Sequence, residues 1–156
     1  MPTARPSDEP AATVTCRDEP EVSVRLHSRY FPSEQGVGFS VSAAASGLRA
    51  DVHGVEVWGF DTVWLPDFVG ALAAQSDGWV GERLWATDRL EVRAAFHPGG
   101  RVSLAWELYP LVSRPDDWRL SVTTWVDAGE QLSRFAADLR GLLPWPSTGS
   151  AIPDPL

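Results

Sequence analysis

Histidine and cysteine are the side chains most often used for metal binding and for acid–base or thiol chemistry, and this chain has few of them. Its histidines are His27, His53 and His97, and its single cysteine is Cys16. The histidines form no H-x-x-x-H or H-E-x-x-H pattern, and one cysteine excludes an internal disulfide and disfavours a cysteine-based zinc site. We therefore predict no metal and no cofactor, and we expect the histidines at solvent-facing strand ends.

Signals for covalent catalysis are equally weak. The chain has no G-x-S-x-G sequence, and Ser46 precedes Gly47 in a pattern typical of a hairpin turn. The absence of lysine excludes Schiff-base chemistry. The pair Asp116-Asp117 could serve as a general acid and base, but paired aspartates before a strand are more typical of a turn. We predict a protein that is not an enzyme; the alternative is a site in which folding brings a histidine to a carboxylate or to Cys16.

The charge of the chain narrows the choice of partners. Asp and Glu number 21 against 13 basic residues, which gives a net charge of −8. An acidic chain lacks the basic surface that binds nucleic acid or an anionic membrane, but it suits a basic protein partner. We find no apolar signal segment at the start and no run of about 20 apolar residues, so we expect a cytoplasmic protein.

Length and composition predict one domain with two tails. Residues 1–11 are rich in Pro, acidic and small residues, and residues 144–156 contain four prolines. Such segments do not bury enough apolar surface to fold, so we expect a disordered N-terminal tail and a flexible C-terminal tail. The domain itself is expected over residues 12–143.

Alternation of apolar and polar residues predicts β-strands along most of this domain. Strands are expected over residues 12–17, 21–27, 36–44, 49–60, 82–87, 89–97, 101–109 and 118–126. Turn residues Ser46-Gly47 and the Pro-Gly-Gly run at 98–100 link neighbouring strands. The last four strands therefore read as an antiparallel meander.

Two segments change to helical spacing. Residues 65–75 place apolar residues three and four apart, with Pro66 suited to a first turn. The final helix is expected to begin with Asp127 as N-cap and Glu130 in a capping box. Its apolar stripe is Leu132, Phe135, Ala136, Leu139 and Leu142. The expected fold is α+β, an antiparallel sheet of about seven to eight strands with two helices packed on one face.

The polar side of the meander is the main candidate binding surface. If Leu90, Val102 and the run Trp118, Leu120, Val122 face the core, alternation places the other residues outward. The candidate binding residues on that face are Arg89, Glu91, Arg93, Arg101, Glu107, Arg119, Thr123 and Trp125. This face is either a solvated sheet surface with weak cross-strand pairs or a recognition surface anchored by Trp125. A register shift of one residue would invert the assignment.

A second aromatic feature is the stretch DGWVGERLW at 77–85. Trp79, Arg83 and Trp85 either pin a turn by packing into the core or form a surface aromatic patch for a partner.

Three runs carry a resemblance to a known group of proteins. They are WLPDFVGALAAQSDGWVGERLW, LEVRAAFHPGGRVSLAWEL and DWRLSVTTWVDAGEQLSRFAADLRGLL. Across residues 58–143 the chain resembles an uncharacterised family of small proteins from high-GC bacteria, which implies no activity. In the order of its elements it is also loosely similar to the WapI-type immunity proteins of polymorphic toxin systems, which bind a toxin.

These observations predict a non-enzymatic protein-binding module, immunity-like or antitoxin-like, that sequesters a basic partner. The alternative is a binder of small molecules or lipid-like ligands, in which some of the eight tryptophans line a cup between the sheet and the helices.

Overall fold

The computed structural model describes residues 9–58, 63–110 and 117–144. Its strands are β1 (Ala11–Thr15), β2 (Ser23–Ser33), β3 (Gly36–Ala45), β4 (Leu48–Trp58), β5 (Glu82–Ala86), β6 (Leu90–His97), β7 (Arg101–Leu108) and β8 (Leu120–Asp127). Its helices are α1 (Leu65–Ala74) and α2 (Glu130–Leu142). Of the predicted tails 1–11 and 144–156, residues 1–8 and 145–156 lie outside the described residues, as does Asp116.

The α+β class is confirmed, but the strands form two sheets instead of one. The first sheet has the order β1-β2-β3-β4 and the second the order β5-β6-β7-β8, and every pairing is antiparallel. Each sheet is a meander of sequential neighbours because its connections are short. Helix α1 lies between β4 and β5 in the chain, so those two strands do not continue one sheet.

Strand β2 is longer than expected because its alternation is interrupted. The pairing of β2 with β3 shifts between His27 and Tyr30, where Ser28 has a φ of 60°, and then continues to Ser33. A bulge changes which residues face outward, so the period of two does not reveal that the strand goes on.

The two sheets touch at both ends of their strand orders. The Arg17 backbone N–H donates to the Trp125 carbonyl at 2.7 Å, and the Arg17 guanidinium pairs with Asp127 at 2.7 Å. On the other side, the Thr87 hydroxyl donates to the Glu56 carbonyl at 2.9 Å. The Arg17 contacts place the end of β1 beside the end of β8, and the Thr87 contact joins β4 to the connection between β5 and β6.

One hydrophobic core serves both sheets and both helices. Its fully buried side chains include Phe39 and Leu26 from the first sheet, Trp106 from the second, and Leu65 and Leu139 from the helices. Helix α2 lies against β1 and β8 and also packs on α1, where Arg140 pairs with Asp67 at 3.0 Å. No helix in the described part of the chain is long and apolar enough to span a membrane.

The predicted capping box before α2 is wrong. Asp127 is the last residue of β8, and Gly129, with a φ of 90°, precedes the helix without any side-chain cap. The Asp127 carboxylate pairs with Arg17, and its backbone N–H instead donates to the Gln131 side chain at 2.9 Å. The strand runs on to Asp127, and the chain turns into the helix through Gly129, whose positive φ is one that glycine adopts readily.

The inward orientation predicted for Trp118 is also wrong. Trp118 is 49% exposed, while Val122 is 5% exposed and faces the core. Strand β8 begins at Leu120, so the alternation that orients Val122 does not extend back to Trp118.

Candidate functional site

The outer face of the second sheet has the register that the sequence predicts. Leu90, Val92 and Ala94 on β6 are buried, as are Val102 and Leu104 on β7. The residues between them point outward: Glu91 and Arg93, then Arg101, Ser103, Ala105 and Glu107, then Ser121, Thr123 and Trp125. We call this set the outer face.

Charged residues on the outer face neutralise one another. Glu91 lies directly opposite Glu107, a like-charge arrangement that is unfavourable by itself. An Arg93 nitrogen lies 2.5 Å from Glu91 and another lies 3.6 Å from Glu82, while an Arg119 nitrogen lies 3.5 Å from Glu107. An exposed pair such as Arg93–Glu82 stabilises a fold by about 0–1 kcal/mol, whereas the Glu91 side chain is only 17% exposed.

Two of the predicted binding residues stand just outside the strands. Arg89 precedes β6, and its guanidinium donates to the His53 carbonyl of the first sheet. Arg119 precedes β8, and its guanidinium lies 4.7 Å from the centre of the Tyr109 ring. Burial raises the pKa of Tyr109, and the carboxylates of Glu91 and Glu107 raise it further. Arg89 therefore links the sheets, whereas Arg119 borders the outer face.

Trp125 lies beside a pocket of about 370 Å³ that it lines with His97, Pro98 and Arg101. Its indole is 4.6 Å from the His97 ring, and the Arg101 guanidinium is 5.7 Å from the indole centre. His97 is bonded to Ser103 at 2.9 Å, and Arg101 donates to Asp18 at 2.8 Å. We call this the Trp125 pocket; it brings together two predicted residues with two, His97 and Pro98, that were not predicted.

The three residues of the second predicted feature are not together at the surface. Trp85 is buried, and its indole N–H donates to the Val63 carbonyl at 2.6 Å. Trp79 is half-buried against Phe96, with the Arg83 guanidinium 5.5 Å from its ring. Trp79 and Arg83 remain accessible, while Trp85 belongs to the core and pins the chain that leads into α1.

The tryptophans nearest the helices fill the core. Trp64 donates to the Leu143 carbonyl at 2.9 Å, and Trp106 donates to the Thr124 hydroxyl at 3.0 Å while packing against Phe135. A groove of about 540 Å³ between Gly99 and α2 is lined by residues other than these tryptophans. The packing therefore uses these indoles as core residues, as it does Trp85.

A hydrogen-bonded network on the first sheet was missed by the sequence analysis. On its outward side, His27 is 2.8 Å from the Ser42 hydroxyl, which donates to Asp51 at 2.5 Å. His27 is also 2.7 Å from Ser28. His27 is therefore inside β2 and bonded, which corrects the expectation of a free strand end. Serines two apart on β3 and polar residues two apart on β4 were the signal that could have revealed it.

The order of groups in this network differs from that of a serine hydrolase. There a carboxylate orients the histidine, and the histidine takes the proton of the serine. Here the carboxylate of Asp51 accepts directly from Ser42, and that bond lowers the pKa of Asp51. Burial and the nearby Arg25 lower the pKa of His27. The arrangement ties β2, β3 and β4 together and leaves Ser42 hydrogen-bonded to a carboxylate.

Comparison with known proteins identifies the family but no activity. Residues 15–146 match a family of unknown function, DUF6228, and the chain belongs to that family. No curated protein and no solved structure matches the chain.

Proposed function

We propose that this protein is a non-enzymatic protein-binding module and that its binding surface is the outer face around Trp125. The observation that carries the proposal is a half-buried indole beside a pocket, surrounded by exposed ion pairs. Tryptophan and arginine are the residues most enriched at the energetic centres of protein interfaces. A strand surface with small residues such as Ser103 and Ala105 next to Trp125 also offers a shallow floor on which a partner can rest.

The partner that best fits this chain is a basic protein. The net charge of −8 attracts a positively charged protein over distances of about 10 Å and raises the rate of encounter. The loose similarity in layout to WapI-type immunity proteins favours a toxin as this partner and sequestration as the role. The exposed ion pairs of the outer face can then exchange with the charges of the partner.

The test compares the half-buried Trp125 with the exposed Trp118. A tagged wild-type protein and the variants Trp125→Ala and Trp118→Ala are used to capture a basic protein encoded beside this chain, at low and moderate salt. Trp118 is a matched control because it is 49% exposed and seven positions away along the same segment, or roughly 20 Å.

The expected result is a stoichiometric complex that salt weakens. Replacing an anchor residue at an interface centre costs about 2 kcal/mol or more, so Trp125→Ala should weaken binding about 30-fold, and Trp118→Ala should change it little. Unfolding temperatures of both variants establish that each is folded. Equal binding by wild type and Trp125→Ala would refute this surface, and suppression of the toxicity of the partner would support the immunity-like role.

A further inference from the structure

Trp125 differs from the core tryptophans in the fate of its indole N–H. Four other indoles donate to protein acceptors: those of Trp64, Trp79, Trp85 and Trp106. Trp125 is also half-buried, yet its N–H donates no hydrogen bond within the described residues. The indole nitrogen is not fully buried, so this donor is available to a bound group.

A second donor of the Trp125 pocket is only partly used. Arg101 is 34% exposed, and one of its terminal nitrogens donates to Asp18. Its other terminal nitrogen has no acceptor among the described residues, and its Nε is likewise unpaired. A guanidinium has five N–H donors in a planar fork and matches the geometry of a carboxylate.

The remaining walls of the pocket are apolar apart from the His97 ring. Pro98 and the indole of Trp125 offer apolar surface, and the Nε2 of His97 is bonded to Ser103. The volume of about 370 Å³ is sufficient for a side chain or a small ligand. Among the residues that the structure describes, no carboxylate lines the pocket, although Asp18 reaches Arg101 from the β1–β2 connection.

We propose that the Trp125 pocket binds a carboxylate carried beside an apolar group, supplied by an acidic side chain of the protein partner. The proposal rests on the proposed function and adds the chemistry that orients the partner. The overall negative charge attracts a basic protein, and the pocket then selects the position of one acidic residue on it. Arg101 and the indole N–H donate to the carboxylate, while Pro98 and the indole contact the apolar neighbour. Asp18 competes for Arg101 until the partner arrives.

The probes are N-acetyl-L-phenylalanine and the matching N-acetyl-L-phenylalanine amide, which differ only in the carboxylate. Each is titrated into the full 156-residue chain labelled with ¹⁵N, and the indole N–H signals are followed by NMR. The variant Trp125→Phe identifies the Trp125 signal by its loss. We expect the chemical shift of this signal to change and saturate as the acid is added. The amide should bind with at least fivefold lower affinity.

Three variants separate a specific site from a general effect of charge. Arg101→Gln should abolish the preference for the acid, whereas Arg134→Gln should keep it because Arg134 is 71% exposed on α2 and outside this pocket. Asp18→Asn should strengthen binding of the acid by up to about fivefold, since a competing ion pair of up to about 1 kcal/mol is removed.

Equal affinity for acid and amide, or an unchanged preference in Arg101→Gln, would overturn the proposal. If Trp125→Ala abolishes capture of the basic protein while the two probes behave alike, the proposed function stands and this inference fails. If the acid binds as expected but no protein is captured, the pocket takes a small free carboxylate and the proposed function fails.

Discussion

Replacing Thr124 by valine tests the register on which the outer face depends. Thr124 is fully buried on β8, where its hydroxyl accepts the Trp106 indole N–H at 3.0 Å and donates to the Leu104 carbonyl at 3.5 Å. Valine has nearly the same shape, so packing is retained while the buried N–H of Trp106 loses its acceptor. A buried polar group left without a partner costs about 1–3 kcal/mol.

The expected loss of stability is large enough to measure. For a domain of this size, 1 kcal/mol corresponds to about 4 °C in unfolding temperature, so Thr124→Val should lower it by about 4–12 °C. Urea denaturation followed by circular dichroism should show a lower midpoint with an unchanged slope.

The neighbouring threonine provides a matched control. Thr123 is half-buried on the outer face, and Thr123→Val removes the same hydroxyl from the opposite side of the strand. We expect a change within about 0.5 kcal/mol, as for most surface substitutions. If Thr123→Val destabilises the protein as much as Thr124→Val or more, β8 is shifted by one residue. Trp125 would then face the core, and the proposed binding surface would be refuted.

Three further predictions concern the first sheet and α2. The lowered pKa of His27 means that the unfolded chain binds a proton at this side chain more readily than the folded protein, so the stability contributed by His27 is present above pH 6.5 and lost as the pH falls below it. Between pH 7.5 and 5, the unfolding temperature should therefore decline less in His27→Gln than in the wild type. Parallel declines in the two proteins would contradict this. Gly38→Ala should destabilise by about 0.5–1.5 kcal/mol because its methyl group would displace the Tyr30 ring and break its hydrogen bond to Glu56. A methyl group at Gly141 in α2 meets open space, so Gly141→Ala should stabilise the protein by about 0.5–1 kcal/mol. If the denaturant midpoints of Gly38→Ala and Gly141→Ala move in the same direction, these two predictions are contradicted.

Local periodicity was sufficient to predict most of the elements. Helix α1 is predicted at 65–75 and observed at Leu65–Ala74, and β7 is predicted at 101–109 and observed at Arg101–Leu108. Both patterns are periodicities within a single segment, so residues a few positions apart are sufficient to reveal them. The errors occur where local signals end or overlap, as at Trp118 and Asp127.

The candidate site was predictable only in part. Alternation along β6, β7 and β8 correctly placed Glu91, Arg101 and Trp125 on one face. It could not reveal that the ring of His97 on β6 contacts the indole of Trp125 on β8, because β7 with Ser103 lies between these two strands. It also could not show that Arg89 is engaged with the first sheet.

The sequence by itself determined the α+β class, the antiparallel pairing of sequential strands and the polar composition of the outer face, because each follows from residues a few positions apart. The tertiary structure decided that the strands divide into two sheets and that a pocket forms beside Trp125. The contacts that join the two sheets beside this pocket, Arg17 with Asp127 and Asp18 with Arg101, connect residues 110 and 83 positions apart. Separations of that size leave no periodic trace in the sequence, since only the packing of the whole chain brings such residues together.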